Sequence, residues 1–172
     1  MPTETTNTAD LFSSIDETVS RLKQSLSSLP DDKINQVPYE GSWTVGMLYR
    51  HIIKSTMGLG QALLAPPKAA GRNSAARADE LKKTFLNFST KMKSPEMTVP
   101  EEGVYQKQDT LDKLDNAFRV FKENAASQNL DDLVTGLPLG DITKLELVHF
   151  ILYHTQRHLH QMEKIVDALN KA

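Results

Sequence analysis

The chain has 172 residues, 39% hydrophobic and 24% charged, a length and balance that suit one domain with its own core. Twenty Lys and Arg against twenty-two Asp and Glu leave a formal charge of −2, so no bulk field draws nucleic acid or an anionic membrane surface. With no cysteine, disulfides, thiolate metal sites and cysteine nucleophiles are excluded, and any metal falls to His, Asp or Glu.

Residues 1–9 read as a flexible N-terminal segment ahead of a single helical domain, 10–172. They carry neither a basic n-region nor an apolar h-region, and no run approaches eighteen apolar residues, so the expectation is a cytoplasmic protein with no membrane partner. From Asp10, a candidate N-cap, the residues Leu11, Phe12, Ile15, Val19, Leu22, Leu26 and Leu29 recur at three- and four-residue steps and predict a first helix closed by Pro30. Ser42 or Thr44 can cap a second, with Val45, Leu48, Ile52 and Leu59 on its apolar face and Pro66-Pro67 beyond its end near residue 64. Gly46, Gly58 and Gly60 weaken that helix intrinsically, so packing must hold it.

Residues 66–78, small and polar, predict an exposed connection. Leu81, Phe85 and Phe88 predict a third helix over 78–91, and Leu111, Leu114, Phe118 and Phe121 a fourth over 110–127 opened by Thr110 or Asp112. The last segment, 143–170, lacks Pro and Gly and begins TKLE, where Thr143 and Glu146 fit a capping box. It would span roughly 40 Å. No alternating run of strand formers competes, so the fold class is all-α: a four-helix bundle with long second and third connections.

Four of the five histidines, His149, His154, His158 and His160, fall within 149–160. His154 and His158, four apart on a helix, point the same way about 6 Å apart along the axis, which suits either two ligands of one metal or two ordinary hydrogen-bonded imidazoles. His149 and His160 point elsewhere and read as structural or surface groups. Gln161 continues the 154/158 stripe and can support a neighbouring ligand, contact a bound water or substrate, or simply face solvent or the bundle seam. His51, beside Leu48 and Ile52, turns at least one edge inward, either bonded to a carbonyl or carboxylate or serving as a third ligand. Arg50 and Arg157 read as surface or helix-pairing charges. The zinc-protease motif His-Glu-x-x-His is absent, and Glu146-x-x-His149 alone does not make the paired motifs of a di-iron bundle.

The stretch Ser42-Trp43-Thr44 through Leu48 to His51, a tryptophan opening a helix with a histidine two turns in, resembles the second helix of the DinB/YfiT-like superfamily. LVHFILYHTQRHLHQMEKI resembles that superfamily's last helix, and Leu139-Gly140-Asp141 with Thr143 resembles the lead-in to it. The resemblance follows the helix order over most of the chain and is specific at these motifs, with little from 66–128. It implies a bundle in which His51, His154 and His158 bind one divalent metal, nickel or zinc first, with iron and manganese left open. A site of three histidines leaves coordination positions vacant, as catalytic metals do. The function so implied is a metal-dependent enzyme of hydrolase or thiol-dependent transferase type acting on a small molecule. The rival is a non-enzymatic helical module with incidental histidines. Met47, Met57 and Met162 could line a homodimer seam or fill core gaps.

Overall fold

In a computed structural model that describes residues 7–171, the stripe Leu11, Ile15, Val19, Leu22 and Leu26 is the buried face of the first helix, α1 (Thr8–Ser28). The helix starts two residues ahead of Asp10, because the Asn7 side chain accepts the Ala9 amide and caps it. The expected flexible segment otherwise falls on residues 1–6, outside the described residues. The remaining helices are α2 (Val45–Ala62), α3 (Ala78–Phe85), α4 (Lys107–Ala126) and α5 (Lys144–Lys171). Single 3-10 turns lie at Asp31–Lys33 and Glu96–Thr98. A short antiparallel ladder, which no sequence alternation signals, pairs β1 (Leu133–Val134) with β2 (Ile142–Thr143).

The four long helices make the bundle. α1 packs between α5 and α4, and α2 between α4 and α5, so α1 and α2 face each other across a diagonal, as do α4 and α5. A chain that crosses a diagonal needs more residues than a hairpin between neighbours, which accounts for the length of 29–44 and 127–143. The first connection is thus long as well as the second and third. Through the core, the buried Tyr49 hydroxyl on α2 donates to the Leu22 carbonyl of α1 at 2.6 Å. Met162 is fully buried as core filler, whereas Met57 is half exposed. Among the described residues no helix is long and apolar enough to cross a membrane.

One of the two expected caps opens α2, and the start of α4 and the end of α3 differ from the sequence expectation. α2 is capped by Thr44, whose hydroxyl accepts the Met47 amide at 3.2 Å, and ends at Ala62. α4 begins at Lys107 rather than Thr110, where the Lys107 ammonium bonds the Leu29 carbonyl and pairs with Asp31 at 2.8 Å. α3 stops at Phe85 rather than continuing to residue 91. Arg157 of α5 donates to the carbonyls of Phe85 and Asn87 at 3.2 and 2.9 Å and to that of Thr90, taking acceptors that a longer helix would use.

The capping box at the head of α5 forms as its sequence predicts. The Glu146 amide donates to Thr143 Oγ1 at 3.0 Å and the Thr143 amide to Glu146 Oε2 at 2.9 Å. The fully buried Glu146 carboxylate also takes Arg72 in a fork at 2.7 and 2.9 Å and the Arg77 amide at 2.9 Å. The 66–78 connection is therefore fastened to the bundle despite its exposed composition. Beside it the ammonium of Lys144, also fully buried, bonds the Ala65 carbonyl and Gln128 Oε1 at 2.8 and 2.7 Å. Those acceptors lie just past the C-terminal ends of α2 and α4, where helix dipoles favour a cation.

Candidate metal centre

The face of α2 that carries Leu48, His51, Ile52 and Ser55 is buried, and so is the α5 stripe of Ile151, His154, His158 and Met162. Because α2 and α5 are neighbours in the bundle, three imidazoles from two helices converge. His51 Nε2 lies 3.3 Å from His154 Nε2 and 3.0 Å from His158 Nε2, and the last two are 3.2 Å apart. A metal ion with bonds of about 2.0–2.1 Å to nitrogen holds its ligand nitrogens about 2.9–3.3 Å apart, depending on geometry. The three side chains form the one metal-competent group among the described residues.

The second ring nitrogen of each histidine fixes what the first can do. His51 Nδ1 lies 2.8 Å from the Thr98 carbonyl, and a carbonyl only accepts, so Nδ1 carries the proton and Nε2 presents a lone pair. His158 Nδ1 donates to Gln161 Oε1 at 2.9 Å, which likewise leaves a lone pair on its Nε2. The shortest separation in the cluster is thus lone pair against lone pair. His154 Nδ1 is buried with no hydrogen-bond partner, so the His154 proton either stands unpartnered there or sits on Nε2, 3.3 and 3.2 Å from the other two nitrogens. With that proton on Nδ1, three lone pairs converge, and the triangle is complementary to a cation at its centre.

Burial makes the arrangement electrically neutral. It pushes His158 down to about 3, with the neighbouring His51 adding to the effect against the Gln161 hydrogen bond. His154 is driven well below the ordinary histidine range by burial, then by His158, His51 and Arg157. His51 is lowered by burial first, against the Thr98 hydrogen bond and with Lys54. Neutral imidazoles are the form a metal takes. Trp43 covers His51, ring centroids 5.1 Å apart, and Phe150 stacks on His154 at 5.1 Å.

The structure brings together all four residues singled out in the sequence. Gln161 is spent on orienting His158. His51 has one nitrogen on a carbonyl, as one of its open readings had it, and turns the other toward the cluster. His149 is a buried structural residue whose Nδ1 meets the Tyr153 hydroxyl at 3.1 Å, and His160 stacks on Phe88 at 4.1 Å. Arg50 pairs with Glu101 at 2.9 Å. The Thr98 carbonyl was invisible in the sequence, since any residue could supply it.

The DinB superfamily model matches residues 14–162. No curated protein matches. Among solved structures, YfiT from Bacillus subtilis, described as a probable metal-dependent hydrolase with an unusual four-helix bundle topology, aligns with a TM-score of 0.61 at 12% identity, over 99% of this chain and 93% of that one. TT2238, described as a four-helix bundle protein, aligns with a TM-score of 0.60 at 14% identity, over 91% of this chain and 98% of that one. At those identities the likeness is one of fold.

Proposed function

The chain belongs to the DinB superfamily, and from that premise we propose that His51, His154 and His158 hold one divalent metal ion, nickel or zinc, in a metal-dependent hydrolase acting on a small molecule. The observation that carries this reading is the 3.0 Å approach of two unprotonated nitrogens, His51 Nε2 and His158 Nε2, inside a buried neutral cluster. A cation between them turns that approach from a cost into a bond. The description of YfiT as a probable metal-dependent hydrolase points the same way.

When bound by three neutral imidazoles, the ion supplies Lewis acidity with coordination positions left for water and substrate. The chain's own part is preorganisation. Thr98 and Gln161 fix two ligand rings in the required tautomer, and the proton of the third belongs on His154 Nδ1. Trp43 and Phe150 shield His51 and His154 from water.

The test is metal analysis of protein purified without chelators, alongside His51→Ala and His154→Ala. About one equivalent of nickel or zinc in the parent, lost from both variants, supports the centre, and metal content unchanged by either substitution removes it. Loaded protein is then assayed on ester and amide panels with and without added low-molecular-weight thiols. Turnover that needs the thiol and releases no hydrolysis product would replace the hydrolase by a thiol transferase.

A further inference from the structure

His51 owes its tautomer to a carbonyl that α2 does not supply. Residues 95–105 run as a strap along α2, over the row Gly46, Arg50 and Lys54, which repeats every four residues and so lies on one face beside His51. Along the strap Met97 and Val104 are 71% and 87% exposed, whereas Pro100 is buried and Tyr105 packs against the core. Beside those two, polar contacts fasten it to α2. The Lys54 ammonium donates to the Val99 carbonyl at 2.9 Å and to Glu101 Oε1 at 3.0 Å, and Arg50 Nε donates to Glu101 Oε2 at 2.9 Å. Further on, the Tyr105 hydroxyl bonds the Glu101 carbonyl, and Asn35 brackets the Tyr105 backbone with bonds of 2.9 and 2.8 Å.

We propose that Glu101 is a positioning residue of the metal centre: clamped by Arg50 and Lys54, it sets the strap so that the Thr98 carbonyl meets the Nδ1–H of His51. Thr98 stands three residues before the clamp and makes the strap's hydrogen bond to the triad. Lys54 also holds the Val99 carbonyl beside Thr98, so loss of Glu101 loosens the Thr98 carbonyl rather than freeing it, and His51 could then protonate at Nε2 part of the time and lose its lone pair toward the centre. The Arg50 hydrogen bond, helped by Lys54, keeps the Glu101 carboxyl down at about 2, so the clamp stays ionised across the working range of pH. The consequence for metal binding rests on the function proposed above, whereas the effect on His51 does not.

Two measurements separate these. In metal-free protein with labelled histidine nitrogens, the His51 ring of the parent is expected as one Nδ1-protonated form with its proton protected from exchange. In Glu101→Ala that protection falls and the two tautomers average. Titrated with zinc against a chelating dye, Glu101→Ala is expected to bind about three- to ten-fold more weakly, less than the ~10–100-fold typical of removing a ligand's direct hydrogen-bond partner. Glu101→Gln, which keeps one acceptor oxygen, falls between. Asp16→Asn, which breaks the remote Asp16–Lys122 ion pair between α1 and α4, matches the parent in both assays. A His51 ring unchanged in Glu101→Ala overturns the proposal, as does an equal zinc loss in Asp16→Asn or parent-like zinc affinity in Glu101→Ala. Failure of the parent to bind zinc while the His51 effect remains overturns the metal reading and leaves the positioning role standing.

Discussion

Gln161 Oε1 accepts the Nδ1 proton of His158 at 2.9 Å, three residues along the same helix. The glutamine thereby makes the imidazole a better electron donor at Nε2 and stops the ring from turning. Gln161→Leu keeps the volume and removes the acceptor, so metal affinity is expected to fall by about 10–100-fold while the melting temperature of the metal-free protein changes little. A chelator competition assay reads the first and a thermal scan without metal the second. Parent-like affinity in Gln161→Leu would return the residue to the substrate-contacting role that its sequence position also allowed.

Metal binding should be visible from the single tryptophan. Trp43 lies against His51, with ring centroids 5.1 Å apart, so a paramagnetic ion at the centre is expected to quench its emission in proportion to occupancy. Nickel or copper titrations should give a saturable loss with a stoichiometry of about one, absent in His154→Ala, whose side chain does not stack on Trp43. At about a hundred times the dissociation constant the ion should also stabilise the fold by ~2.7 kcal/mol. Quenching of the same size in His154→Ala would mean that the ion binds elsewhere.

Acid acts on the same cluster. His158 ionises at about 3 in the folded chain against 6.5 ordinarily, so between those limits the unfolded chain takes up a proton that the folded chain refuses. Stability is therefore full above about pH 6.5 and lost as pH falls, with a slope approaching ~1.4 kcal/mol per pH unit for each such histidine. Urea unfolding of metal-free protein from about pH 7.5 to about pH 5 should show this slope, reduced in His158→Leu. A flat profile in the parent would contradict neutral burial of the triad.

The centre and the bundle were legible in the sequence to different depths. Period-3.6 stripes sufficed for the four long helices, because helix faces are local, and the i, i+4 pair His154 and His158 followed from the same geometry. The third histidine of the cluster did not. His51 is more than a hundred residues from its partners, and only the resemblance around Trp43 joined them. Tertiary acceptors were beyond local reasoning altogether: the grip of Arg157 on Phe85 and Asn87 ends α3 early, and the Thr98 carbonyl that sets His51 carries no side-chain signature.

The fork between Arg72 and Glu146 should be the most sensitive ion pair in the fold. Glu146 is fully enclosed, and burial alone would raise its carboxyl. The bonds from Arg72, Thr143 and Arg77 together outweigh that and hold it below the ordinary range. Arg72→Met leaves a buried charge without its cation and is expected to cost ~3–5 kcal/mol. Adding Glu146→Gln removes that charge and should recover part of the loss. Denaturant unfolding of the three variants and parent completes the cycle, and a double variant no more stable than Arg72→Met would rule out uncompensated charge as the cause.

Two glycines of α2 should respond in opposite directions to the same substitution. Alanine in a helix interior is favoured over glycine by about 0.8–1.0 kcal/mol where nothing else intervenes. At Gly58 a Cβ would meet nothing within 4 Å, so Gly58→Ala should stabilise the protein by roughly that amount. At Gly46 a Cβ would stand 2.6 Å from Tyr105 Cβ and 2.7 Å from its ring, at the point where the strap closes on α2. The tyrosine cannot retreat easily while Asn35 holds its backbone on both sides, so Gly46→Ala should destabilise by about 1–3 kcal/mol. Because Tyr105 continues into the strap, the same substitution should weaken metal binding, and Gly58→Ala should not. Removing the obstacle in Gly46→Ala/Tyr105→Ala tests the cause. If the clash is responsible, the two changes are far from additive in unfolding experiments, and simple additivity would place the cost of Gly46→Ala elsewhere.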